Sequence, residues 1–177
     1  MTTRSPAVVA AVLAAAMVGC AGAEAAVPEC EPGRRLAILA QSVPTASLVP
    51  CLESMPAGWS FAALDVDSQR SRFWLDSDRA GLRAAEIELS PTCDVSDGTQ
   101  GEPEEEGTDR YQRLSSLSPR FAGSTYDVFD GGCVIYRYDF ASGPHITLYQ
   151  ELHDAVTLFP REDLEPLTTG LDRLPAS

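Results

Sequence analysis

Lysine is missing altogether: all 13 basic residues of this 177-residue chain are arginine, set against 26 aspartates and glutamates. The net charge of −13 repels phosphate backbones and anionic headgroups, which argues against nucleic-acid binding and against adsorption to an acidic membrane surface. Histidine is almost as scarce. His145 and His153 are the only two, and eight residues apart on one helix they would be separated by about 12 Å in rise, too far to share a metal ion. No pair of the five cysteines has the C-x₂₋₄-C spacing of a zinc site. The nearest approach to a G-x-S-x-G nucleophile elbow, Gly58-Trp59-Ser60-Phe61-Ala62, lacks its last glycine. Its serine enters a strand instead of joining a strand to a helix, so Trp59 reads as a core aromatic. An unbroken apolar run of the roughly 20 residues that span a bilayer is also absent. These gaps leave no candidate catalytic residue, no metal ligand set and no cofactor motif.

What is present begins at the first residues. One charge, Arg4, precedes an uncharged run from Ala7 to Val18 that closes on Gly19-Cys20. About a dozen apolar residues suit the h-region of an export signal. Counted on to Ala23, the run reaches 17 residues, much of it alanine, which makes an uncleaved anchor the weaker reading. Met17-Val18-Gly19-Cys20 resembles the box that ends bacterial lipoprotein signals, with methionine where leucine is usual. The resemblance implies cleavage before Cys20 and a diacylglycerol on its sulfur, anchoring the protein to the outer face of the cell membrane. Two or more acyl chains hold stably where one does not, since each buried methylene adds about 0.8 kcal/mol. Ordinary secretion is the alternative, because Ala21 and Ala23 offer an A-x-A cleavage site that would discard Cys20.

Either route leaves Cys30, Cys51, Cys93 and Cys133, an even set for two disulfides in an oxidising compartment. Four cysteines allow three connectivities; Cys30–Cys51 with Cys93–Cys133 is favoured, because Cys30 and Cys51 are near neighbours in sequence, while Cys93 lies just past the third strand and Cys133 opens the last. Arginine-only basicity and abundant alanine point to a GC-rich bacterial genome. The chain divides into a signal peptide at 1–19, a lipidated cysteine and tether at 20–33, and one domain at 34–177. The tether is small, acidic and proline-bearing, and its first dozen residues reach about 40 Å at most.

Within the domain, Arg34 to Gln41 has the spacing of a short helix, and Cys51 to Met55 reads as one further helical turn. The period then changes to two. Strands are expected at Trp59–Val66, Ser71–Leu75, Arg83–Leu89 and Tyr111–Leu117, followed by a hairpin of Ser124–Phe129 and Cys133–Phe140 around Asp130-Gly131-Gly132. Asp94 to Asp109 is acidic, glycine-rich and without apolar periodicity, hence a mobile loop. Its carboxylates could attract calcium, though without EF-hand spacing. Helical period returns after Ser142 and Pro144, with Ile146, Tyr149, Leu152 and Val156 near one face, and Arg161 to Thr169 forms a last helix. Glu151-Leu152-His153-Asp154 reads as a solvated helix face. The expected fold is α+β: an antiparallel sheet of about five strands with helices from both ends of the chain on one face.

The words Ser42-Val43-Pro44-Thr45-Ala46-Ser47, Pro50-Cys51-Leu52, Pro56-Ala57-Gly58-Trp59 and Gly131-Gly132-Cys133-Val134-Ile135-Tyr136 resemble an uncharacterised group of exported actinobacterial proteins. That likeness carries no activity with it. The expectation is a cell-envelope protein with a binding or scaffolding role toward another envelope protein or a small ligand. An exported enzyme using acidic residues such as Asp65 and Glu88, or a calcium-dependent module, are the alternatives.

Overall fold

The alternating stretches do become strands in the computed structural model, which describes residues 27–164. Cys20 and the signal region, and the chain beyond Leu164, lie outside the described residues. In order, the elements are α1 (Arg34–Ser42), β1 (Leu48–Leu52), β2 (Trp59–Val66), β3 (Ser71–Ser77), β4 (Gly81–Ser90), β5 (Thr99–Gln100), β6 (Asp109–Ser116), β7 (Phe121–Phe129), β8 (Gly132–Phe140), α2 (His145–Ala155), β9 (Val156–Pro160) and a 3₁₀ turn (Arg161–Leu164).

Seven strands form one antiparallel sheet in the order β2-β3-β4-β8-β7-β6-β5, so the expectation of about five was low. Two meanders meet at β4 and β8. The chain leaves β4, crosses to the far edge, and returns strand by strand until β8 closes against β4. The additional strand β5 lies inside the acidic stretch read as a mobile loop, where Thr99 and Gln100 pair with Gln112 and Tyr111. A two-residue strand leaves no periodicity to read.

A second, two-stranded ribbon pairs β1 with β9. Cys51 and Leu52, expected to begin a helical turn, are instead extended opposite Thr157 and Val156. Pro50 is tolerated because its nitrogen, two residues before that of Leu52, faces away from β9, so the β1–β9 ladder does not need its missing N–H. At the other end, α2 stops where Val156-Thr157-Leu158-Phe159 brings β-branched and aromatic residues; the Val156 N–H caps it by donating to the His153 carbonyl. Residues 27–30, read as the end of the tether, run along β1: the Leu52 N–H donates to Pro28 O and the Cys30 N–H to Leu52 O.

Both helices bury their apolar sides in one core. Leu36 and Leu39 of α1 and Leu148 and Leu152 of α2 meet Phe73, Leu75, Ile87, Leu89, Val134, Tyr136 and Phe140 of the sheet. Each such side chain contributes on the order of 1.5–3 kcal/mol by leaving water. The face that α2 turns inward uses Leu148, Leu152 and Ala155, while Ile146, expected to be buried, is 64% exposed. Ser142, the expected N-cap, donates its hydroxyl to Arg79 O instead.

The β7–β8 turn shows why glycine stands at its tip. Gly131 has φ +72°, and a Cβ there would lie 1.8 Å from the Thr45 carbonyl oxygen. Thr45 Oγ1 donates to Gly131 O at 2.6 Å and the Ser47 N–H to Asp130 O at 3.0 Å, so the hairpin tip is docked on the segment between α1 and β1.

Candidate functional site

Strand parity decides what faces the helices. Beside β8, which turns Val134, Tyr136, Tyr138 and Phe140 inward, the registers Thr125↔Tyr136 and Asp127↔Val134 put Thr125 and Asp127 on that same inner face. Across the next pair, Arg110↔Asp127 and Gln112↔Thr125 add an arginine and an amide. The inner face therefore changes from apolar to polar at β7 and β6.

Arg110 and Asp127 are 3% and 1% exposed. The guanidinium donates to both carboxylate oxygens, Nε to Oδ1 at 2.6 Å and Nη2 to Oδ2 at 2.7 Å, the two-pronged geometry that best compensates a buried charge. Its remaining terminal nitrogen, Nη1, contacts the carboxylate of Glu104, which reaches in from the acidic loop. Burial by itself would lower the arginine's pKa; hydrogen bonding and charge from Asp127, then from Glu104, hold it above the ordinary value.

Helix α2 lays Tyr149 and His153, one turn apart, over this patch. Gln112 Nε2 donates to Tyr149 Oη at 2.9 Å, and Thr125 Oγ1 shares a proton with the same phenol at 3.1 Å. The His153 ring lies 4.4 Å from Tyr149 and 4.7 Å from Tyr136 between ring centres. It is buried, so its place on a solvated helix face is corrected: only Asp154 of that tetrapeptide is fully outside. Burial, then the charge of Arg110, lowers the His153 pKa to about 3, and its Nε2 makes no hydrogen bond. Burial, then Asp127, raises the Tyr136 hydroxyl well above a normal phenol. Burial pushes Tyr138 up to about 12. At neutral pH the imidazole of the patch is thus uncharged and its phenols keep their protons.

The other residues singled out in the sequence lie elsewhere. Cys30 bonds to Cys51 and Cys93 to Cys133, with Cα separations of 5.0 and 6.2 Å. Cys133 stands opposite Ser90 at the end of β4, so the second bridge pins the start of the crossover to the strand that finally closes the sheet. His145 stacks on Phe121, 5.8 Å away and outside the Arg110 cluster. Trp59 is in the core, as its type suggested, and its Nε1 donates to Glu151 Oε2 at 2.8 Å while Arg79 holds the same carboxylate. Glu151 is therefore a clamp between α2 and the start of the sheet, not a solvated residue.

Asp65 and Glu88 lie across from one another on the outer face with Arg72 between them in register. Arg72 Nη2 bonds Asp65 at 2.5 Å, and Arg137 Nη1 joins Glu88 at 2.9 Å and Glu86 at 2.6 Å. The carboxylates form a row of ion pairs instead of an acid/base couple. In the acidic loop, Asp94 turns back to accept the Ser96 N–H, Asp97 pairs with Arg113, and Glu104 with Arg110. Among the described residues, no group of three histidines, cysteines or carboxylates is placed to hold a metal ion, and no helix is long and apolar enough to cross a membrane.

These features define a disulfide-bridged α+β domain with a buried polar patch under an acidic loop. No family model matches the chain, and neither a curated protein nor a solved structure matches it.

Proposed function

We propose that this chain is an exported cell-envelope lipoprotein, anchored by a lipid on Cys20 to the outer face of the cell membrane, whose domain acts by binding or scaffolding. Its partner is another envelope protein or a small envelope ligand, and its acidity disfavours nucleic acid. The observation that carries the reading is the pairing of all four cysteines that follow Cys20, as Cys30–Cys51 and Cys93–Cys133. Such bridges persist in oxidising compartments and are rare where thiols are kept reduced. The resemblance of Met17 to Cys20 to a lipoprotein signal supports the anchor. The test is metabolic labelling with a palmitate analogue in cells expressing the chain and Cys20→Ala. Label on the parent and none on the variant is expected. An exported but unlabelled parent would replace the anchor with free secretion, and protein retained inside the cell would remove the reading.

A further inference from the structure

Arg110 meets two carboxylates that differ sharply in setting. The Asp127 side chain is 2% exposed and grips the guanidinium with both oxygens, whereas the Glu104 side chain is 55% exposed and comes from the loop. One aspartate already neutralises one arginine, so the pair needs no second anion for charge balance. What Nη1 needs is an oxygen acceptor, and the chain supplies it from a surface segment and not from the sheet. That segment runs between Gly101, whose N–H donates to Arg110 O, and Gly107 at φ +81°, with Thr108 fixed by its hydroxyl to Glu105 O. Side chains around the patch offer polar groups beyond the ion pair: the Tyr149 hydroxyl, the Gln112 amide and the buried Nε2 of His153.

We infer that Nη1 of Arg110 marks a carboxylate-binding site, occupied in this state by Glu104 of the chain's own acidic loop, which an incoming carboxylate displaces. The ligand is a molecule bearing a carboxylate at the end of an extended segment, as an acidic peptide does. The loop acts as its internal stand-in, with Glu104 lifted away when the ligand docks. This deepens the binding reading above and rests on it, but it is tested on purified protein, so its failure leaves the palmitate result untouched and the reverse.

The experiment uses the full chain labelled with ¹⁵N-arginine, as parent, Glu104→Gln and Glu106→Gln. The side-chain Nε–H of Arg110, bonded to Asp127, reports the site. The probe is the synthetic heptapeptide Gly-Glu-Pro-Glu-Glu-Glu-Gly, which copies residues 101–107, with succinate as a small-molecule arm. Glu104→Gln leaves Nη1 only a neutral amide oxygen, a weaker acceptor that an incoming carboxylate outcompetes, without touching the buried pair, and its thermal melt verifies the fold. The expected result is a saturable shift of the Arg110 signal in Glu104→Gln, with affinity at least about tenfold above that of the parent and of Glu106→Gln, equivalent to about 1.4 kcal/mol. Peptide binding without succinate binding assigns the ligand to the peptide class; both binding assigns it to carboxylates generally. No saturable shift in Glu104→Gln, or equal affinities in all three proteins, overturns the inference.

Discussion

Replacing Asp127 with asparagine leaves the shape of the inner face almost unchanged and strips Arg110 of its buried counter-charge. Removing one partner of a buried ion pair costs about 3–5 kcal/mol, because the survivor stays desolvated. Glu104 remains on Nη1 and offsets part of this, which places the expected loss at about 3 kcal/mol. Domains of this size are stable by roughly 5–15 kcal/mol in total. The loss therefore lowers Tm by roughly 6–12 °C, at about 2–4 °C per kcal/mol. Urea unfolding followed by far-UV circular dichroism measures it, with thermal melts alongside. The double variant Arg110→Met with Asp127→Leu is expected to regain most of the loss, since apolar residues of similar volume replace buried ion pairs at little or no cost. An Asp127→Asn protein within about 0.5 kcal/mol of the parent, the range of ordinary surface changes, would refute the claim that this pair is desolvated and central to the patch.

Three further outcomes follow from the same geometry. His153 titrates at about 3 in the fold against 6.5 in a model peptide, so the unfolded chain takes up its proton first as pH falls. Stability is then lost between about pH 6.5 and 3, by up to about 1.4 kcal/mol per pH unit, and His153→Phe is expected to flatten the urea midpoint over that window; an unchanged slope contradicts this. The disulfides close separations of 21 and 40 residues, and the chain-entropy relation gives about 3 and about 4 kcal/mol respectively. Cys93→Ser/Cys133→Ser is thus expected to destabilise at least as much as Cys30→Ser/Cys51→Ser in chemical unfolding. Gly131→Ala places a methyl against the Thr45 carbonyl at a positive φ and is expected to lower the melting temperature strongly, whereas Gly107→Ala meets no atom within 4 Å and pays only the backbone term.

Most strands of the sheet are legible in the sequence because a half-buried strand must alternate. Val134, Tyr136, Tyr138 and Phe140 declare both the strand and its inner face. The ribbon strands are not legible, since Pro50 and Cys51 look like a turn and Val156 follows a helix without a break. The cysteine pairing could be favoured from spacing, yet only the closure of β8 against β4 brings Cys133 beside the end of the strand before Cys93. The Arg110 patch escaped because its parts are trivial alone. A parity signal was there: Thr125 and Asp127 share the parity of Phe121 and Phe129, which turns a carboxylate toward the core. Its partner arginine depends on the register of β6, which no local pattern sets. His153 was misplaced for a related reason, because the charged neighbours Glu151 and Asp154 suggested a wet face, while the step of four from Tyr149 put it on the aromatic one.

Mass spectrometry of the native protein, digested without reduction, reads both the thiols and the amino terminus in one experiment. Peptides cross-linked as Cys30–Cys51 and Cys93–Cys133, on a chain that begins at a diacylglycerol-modified Cys20, are the expected result. Four free thiols on a chain still carrying Met1 would contradict it.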